Sequence, residues 1–212
     1  MNTDPSAGPA RRAQCDACLR PQPTCICRWV RPLAPLVEVL ILQHPLEVGN
    51  AKGSARLLHL SLAGSALLVG ETFDEAELGA RLAGPRTSWL LYPDTPDIGA
   101  LGMLAPPPRD PALLERPSGL RLVVLDGTWR KSRKMLYQNR VLQALPRLPL
   151  SAMPPSHYRI RKAHAPDQLS TLEAACYALM QLEGEAANYQ GLLDAFDGFV
   201  GQIEGYRQTG RA

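Results

Sequence analysis

The run Leu122-Val123-Val124-Leu125 has no polar interruption and leads directly into Asp126-Gly127-Thr128. A strand with one wet face alternates apolar and polar residues, so a short unbroken run predicts a strand covered on both faces, as in a parallel sheet flanked by helices. The stretch from Trp129 to Gln138 then reads as a helix carrying Arg130, Lys131, Arg133 and Lys134 near its start. Ligands of open α/β sheets sit outside the carboxyl ends of the strands. A carboxylate, a glycine and a hydroxyl at such an end are therefore candidates for an active-site corner. Helix capping by Asp126 or Thr128 is the alternative reading.

The rest of the chain follows the same rhythm. Leu36 to Leu42 reads as a first strand that ends at Gln43-His44-Pro45, Ala55 to Leu62 as a helix, and Ala66 to Val69 as a strand. Asp74 to Ala83 reads as a helix opened by a capping box between Thr72 and Glu75, and Ser88 to Tyr92 as a third strand. A long excursion from Thr95 to Gly119 precedes the central strand. Beyond the central helix, proline-rich residues 146–155 lead to His157-Tyr158-Arg159-Ile160-Arg161-Lys162, a short strand or loop. Ser170 and Glu173 form a second capping box for a helix reaching about Glu183, and Asn188 to Tyr206 reads as the last helix. Strands alternating with helices in this way predict an α/β fold with a mainly parallel sheet.

Cys15, Cys18, Cys25 and Cys27 form two close pairs around a loop containing Pro21 and Pro23. Four thiolates so spaced can close a tetrahedral Zn²⁺ site, and four protein ligands leave no open position, so the metal is expected to be structural. Disulfides are the competing chemistry, disfavoured in a reducing compartment. No apolar run approaches the ~20 residues of a membrane span, and the first residues, MNTDPSAGPARRAQ, lack the apolar middle of a signal peptide. A soluble, cytoplasmic protein is expected, with a disordered tail over 1–10, a zinc-binding module over 11–31 and an α/β catalytic domain over 32–212. Gly49 to Ser54 lacks the spacing of a triphosphate-binding loop, which excludes that class.

The net charge is only +3, but its signs are segregated. Residues 121–164 hold ten lysines and arginines against Asp126, whereas from residue 165 onward seven acids face Arg207 and Arg211. This predicts a basic face for a polyanion beside an acidic C-terminal helix pair.

The chain resembles the DTW-domain family of tRNA-uridine aminocarboxypropyltransferases. The resemblance rests on the four cysteines, Gln43-His44-Pro45-Leu46-Glu47, Leu91-Tyr92-Pro93, Asp126-Gly127-Thr128-Trp129, Tyr158-Arg159-Ile160-Arg161 and Leu169-Ser170-Thr171-Leu172-Glu173-Ala174. These occur in the family's order. The chain departs from the pattern at Ala51-Lys52-Gly53-Ser54, and no role is carried over to that loop.

The resemblance implies transfer of the 3-amino-3-carboxypropyl group of S-adenosylmethionine to N3 of a tRNA uridine, with release of 5′-methylthioadenosine. It also implies a SPOUT-like knotted fold whose cofactor loops follow Tyr92, follow Leu125 and precede the helix at Ser170. On that footing Asp126, Thr128 and Trp129 are the catalytic candidates. Tyr92, Pro93, Leu125, Gly127, Arg159, Arg161, Ser170, Thr171 and Glu173 are the cofactor-binding candidates. Arg28, Arg31, His44, Arg130, Lys131, Arg133, Lys134 and Lys162 are the candidates for tRNA contact. Arg159 or Arg161 suits the methionine carboxylate, which a guanidinium can grip bidentately, and Asp126 suits the N3 proton. A SPOUT-like RNA methyltransferase and a non-catalytic zinc-bearing RNA-binding protein are the rival functions, and tRNA is the expected partner.

Overall fold

A computed structural model describes residues 13–94, 102–151, 153–156, 169–184 and 186–208. The expected tail over 1–10 and the segment His157 to Lys162, with Arg159, Arg161 and Lys162, lie outside the described residues. Five strands form one sheet: β1 (Glu38–Gln43), β2 (Ala66–Val69), β3 (Thr87–Leu91), β4 (Leu120–Asp126) and β5 (Arg147–Leu148). Every pairing is parallel and the order is β2-β1-β4-β3-β5.

The central strand is buried along its whole length, which its apolar run predicts. Successive side chains point to opposite faces of the sheet. Val39, Ile41, Leu122 and Val124 join one core with α1 (Ala55–Ser61), α5 (Thr171–Glu183) and α6 (Ala186–Gln208). Leu40, Leu42, Val123 and Leu125 join a second core with α2 (Glu75–Leu82), α3 (Trp129–Gln138) and α4 (Arg140–Gln143). Helices therefore cover both faces, and the carboxyl ends of β1, β3 and β4 open along one edge.

Several element ends differ from expectation. The cap of α2 is Asp74, whose side chain accepts from the Glu77 amide, and not Thr72. Aspartate is as good an N-cap as threonine, and it stands next to the first helical residue. The capping box at Ser170 and Glu173 forms as predicted. After α5 the chain turns at Gly184, whose φ of 69° is the left-handed conformation that glycine adopts without strain. Among the described residues, no helix is long and apolar enough to cross a membrane.

The cysteine segment is built into the main core. Ile26 and Cys18 are buried within it. The Trp29 ring lies against Gly198 of α6, and its Nε1 donates to Gln202 Oε1. Gln202 Nε2 in turn donates to the Cys25 carbonyl at 3.2 Å, and the Tyr206 hydroxyl donates to the Pro23 carbonyl. Arg20 donates to the carbonyls of Ala51 and Gly53 at 2.6 and 2.9 Å, which fixes the loop before α1.

Candidate active site

Gln43 and Asp126 are the last residues of neighbouring parallel strands, and the register places them side by side. Gln43 Nε2 donates to Asp126 Oδ2 at 2.8 Å, and Thr171 Oγ1 donates to Oδ1 at 2.6 Å. The residue is only 5% exposed. A buried carboxylate is costly unless its oxygens are hydrogen-bonded, and both accept here, one from each neighbour. Asp126 is thus no helix cap. Thr128 has that duty, accepting from the Lys131 amide at 3.4 Å, which leaves Trp129 as the first residue of α3 and 53% exposed.

Thr171 is held as firmly as the group it contacts. It opens α5, where Ser170 Oγ accepts from the Glu173 amide at 3.2 Å and Glu173 Oε2 accepts from the Ser170 amide at 2.7 Å. Ser54 Oγ accepts from the adjacent Leu172 amide at 3.2 Å. Glu173 is buried and is also reached by the Ser156 hydroxyl. Its side chain builds the start of the helix.

Beside Asp126 lies a cavity of about 330 Å³. The ends of β3 and β4 supply Tyr92, Pro93, Leu125 and Gly127, and the start of α5 supplies Ser170 and Thr171. Trp129 and Ser132 come from α3, and Leu148, Leu150 and Met153 from the segment after α4. Tyr92 and Trp129 meet edge to face with centroids 5.9 Å apart. Gly127 is crowded, because a Cβ there would come within 3.1 Å of Lys131 Cβ and 3.3 Å of Ser132 Oγ. The volume falls in the range of small-molecule sites, about 300–1,000 Å³, and the lining is mainly apolar with a few polar groups, as such sites are.

The Arg147 guanidinium lies 5.7 Å from the Tyr92 ring centroid. Its Nη1 donates to the Leu142 carbonyl at 3.0 Å, while Nε and Nη2 are buried with no acceptor among the described residues. Burial pushes the pKa of this arginine down and that of the Tyr92 phenol up.

The helix α3 also borders a wider concavity of about 670 Å³, lined by His44, Leu46, Glu71, Met103, Arg130, Lys131, Arg133, Lys134 and Tyr137. His44 Nδ1 accepts from the Leu46 amide at 3.1 Å, so its proton sits on Nε2, 2.7 Å from Glu71 Oε2. Lys134 pairs with the other Glu71 oxygen at 2.7 Å, and Lys131 pairs with Glu47 at the same distance. Lys134, and after it His44, hold the Glu71 carboxyl below its ordinary range. Two of the four cations expected on α3 for phosphate thus already face acids. Among the described residues Arg130 and Arg133 have no ion pair. On the cysteine segment, Arg28 stacks 4.8 Å from the Trp29 ring centroid, and Arg31 donates to the carbonyls of Arg28 and Val30.

The thiols of Cys15, Cys18, Cys25 and Cys27 all lie within 4.8 Å of one another, with separations of 3.5 Å for Cys15–Cys27 and 3.8 Å for Cys18–Cys25. Tetrahedral Zn²⁺ with bonds of about 2.3 Å requires sulfurs about 3.8 Å apart, so the cluster fits the ion. None of the four is in a disulfide. Without metal they are unequal: amides of Cys18 and Ala17 bring Cys15 down to about 6, while burial pushes Cys27 up to about 12. The fifth cysteine, Cys176, is buried on α5.

Sequence reasoning missed Gln43 and Arg147 as site residues. A polar residue closing an apolar strand marked Gln43, but its pairing with Asp126 needs the strand order. Arg147 gave no signal.

The family described as the DTW domain matches residues 12–204. The tRNA-uridine aminocarboxypropyltransferase 2 of Drosophila melanogaster is 31% identical over 205 residues, 91% of this chain and 74% of that protein. The Mus musculus protein of the same name is 29% identical over 180 residues, 82% of this chain and 57% of its own length. The tRNA-uridine aminocarboxypropyltransferase A of Arabidopsis thaliana is 28% identical over 146 residues, 62% of this chain and 53% of that protein. The chain therefore spans little more than half of two of these relatives. No solved structure matches it.

Proposed function

Because the chain belongs to the DTW-domain family, we propose that it transfers the 3-amino-3-carboxypropyl group of S-adenosylmethionine to N3 of a tRNA uridine and releases 5′-methylthioadenosine. The observation that carries this reading is the doubly hydrogen-bonded Asp126 next to the cavity that Tyr92, Gly127, Trp129 and Thr171 line. That cavity would hold S-adenosylmethionine, whose sulfonium supplies three electrophilic carbons. Selection among them is geometric, since only the carbon aligned with the nucleophile at roughly 3–3.5 Å reacts.

The exposed Trp129 ring offers a stacking surface for the uracil. Asp126 takes or orients the N3 proton, because N3 is a poor nucleophile until that proton leaves. Gln43 and Thr171 fix the carboxylate for that purpose. N3 then bonds to carbon as the carbon–sulfur bond breaks, and the electron pair remains on sulfur as a neutral thioether. Arg159 or Arg161 takes the methionine carboxylate in this reading, and Arg28, Arg31, Lys162 and the α3 arginines Arg130 and Arg133 contact tRNA, while His44, Lys131 and Lys134 stay paired with Glu71 and Glu47 beside it. Zn²⁺ at the four cysteines is structural. A SPOUT-like knot belongs to the same proposal, supported by the all-parallel sheet with β4 at its centre. The reaction is placed in the cytoplasm, where thiols stay reduced.

The test is to incubate the protein with tRNA and S-adenosylmethionine labelled in its carboxyl carbon. Label in tRNA together with 5′-methylthioadenosine supports the proposal. Release of S-adenosylhomocysteine would make the chain a methyltransferase instead, and tRNA binding without consumption of the sulfonium would make it a binding protein.

A further inference from the structure

We infer that the wider concavity beside α3 receives an unpaired RNA strand next to the modified nucleotide, with Tyr137 as a stacking platform for a neighbouring base. The inference rests on tRNA being the substrate. Trp129 and Tyr137 lie eight residues apart on α3, which is about 12 Å along the helix axis at 1.5 Å per residue. A base on Tyr137 is therefore a neighbour of a base at Trp129 and not the same one.

The Tyr137 side chain is 59% exposed, and among the described residues it makes no hydrogen bond or ring contact. Leu46, lining the same concavity, is 73% exposed. A large phenol and a leucine left open to water inside a cation-rich bowl suit the flat face of a base better than a phosphate. The charges sort likewise. Glu47 and Glu71 occupy Lys131, Lys134 and His44, whereas Arg130 and Arg133 keep their forks for phosphate, a geometry that guanidinium matches bidentately. Arginines beside an exposed aromatic ring are how proteins bind single strands, by stacking bases while gripping the backbone.

Duplex RNA is a poor occupant. Its bases are stacked inside, and its shallow groove is read by shape from outside, whereas splayed loop nucleotides enter concave sites. A uridine attacked at N3 must itself be unpaired, because N3 lies on the pairing edge, so its neighbours belong to a loop or a flipped-out stretch.

The test measures anisotropy of a labelled oligouridylate and of an RNA duplex with the same number of phosphates, using the full chain. Expected results are tighter binding of the single strand and loss of that advantage in Tyr137→Ala. One stack corresponds to about a 5- to 150-fold weakening. Tyr137→Phe keeps the ring and stays within about twofold of the parent. Arg133→Gln weakens both RNAs and lowers the salt slope by about one. Equal affinity for duplex and single strand, or an unchanged Tyr137→Ala, overturns the inference and leaves this face to phosphate or protein. If tRNA is still modified in that case, only the stacking inference falls; if the sulfonium is not consumed with any RNA, the transferase reading falls instead.

Discussion

Thr171 donates to Asp126 Oδ1 at 2.6 Å across 45 positions of sequence, so the first residue of α5 and the last residue of β4 form one polar unit. Its second donor, Gln43, comes from the neighbouring strand. Chemistry at Asp126 thus depends on how β1, β4 and α5 are set against one another.

Asp126→Asn preserves shape but cannot take a proton, and it tests the catalytic assignment. Turnover should fall by roughly 10²- to 10⁴-fold, with S-adenosylmethionine affinity and melting temperature close to those of the parent. Near-normal turnover in the folded variant would leave Asp126 a purely architectural residue.

Thr171→Val removes one donor from a buried carboxylate. The cost should be about 1.5–3 kcal/mol, as for a hydrogen bond to a charged group, read by urea unfolding, and turnover should drop with it. Thr171→Ser restores the hydroxyl and should recover most of both. Equal behaviour of valine and serine would show that the contact does not matter.

Gly198→Ala places a methyl group where the Trp29 ring lies. Forcing atoms into a packed site costs about 1–3 kcal/mol, and the expected signs are a lower melting temperature and a shifted Trp29 fluorescence. Unaltered emission and stability would refute the packing described for Trp29.

Metal analysis under reducing conditions should give one zinc per chain. Chelation or Cys25→Ser should lower stability and, because Arg20 fixes the 51–53 loop ahead of Ser54 and Ser54 holds the Leu172 amide, should weaken S-adenosylmethionine binding as well. A protein that is stable and binds its co-substrate fully without zinc would contradict this linkage.

Glu71 gives a pH signature. Its folded-state pKa lies below the ordinary 4.5, chiefly through Lys134 and then His44. A depressed carboxyl stabilises the fold above its unfolded pKa and loses that contribution as pH falls through the folded value. Glu71→Gln should thus be less stable than the parent at neutral pH, and the gap should close from about pH 4.5 downward. A gap of constant size across that window in denaturant titrations would rule out the pairing.

The sequence made β4, α3 and α5 readable because each carries its own marker: an unbroken apolar run, a helix opening after Thr128, and the reciprocal box of Ser170 and Glu173. It was silent on β5, where Arg147 and Leu148 stand two residues long after Pro146, too short for any periodicity. It bounded α2 correctly but misassigned its cap, since Thr72 and Asp74 both suit a cap and only backbone geometry chooses between them. The candidate site was half legible. Asp126 stood out at a strand end, but Gln43, Glu47 and Glu71 matter through partners 83, 84 and 63 positions away, at Asp126, Lys131 and Lys134. Local pattern carries no such pairing. The same limit explains why Lys131 and Lys134 looked free for phosphate.

The bond between Trp29 and Gln202 joins residues 173 positions apart. On the ribosome, the cysteines that would gather zinc emerge well before the helix on which they rest. The cysteine segment must therefore wait until α6 has been made with Ile26 and Trp29 uncovered, and any nascent chain that stops short of α6 displays that apolar surface to chaperones and proteases. Synthesis of α6 and closure of the cysteine segment become a single event, so copies that lack α6 are distinguishable from those that have it by surface alone.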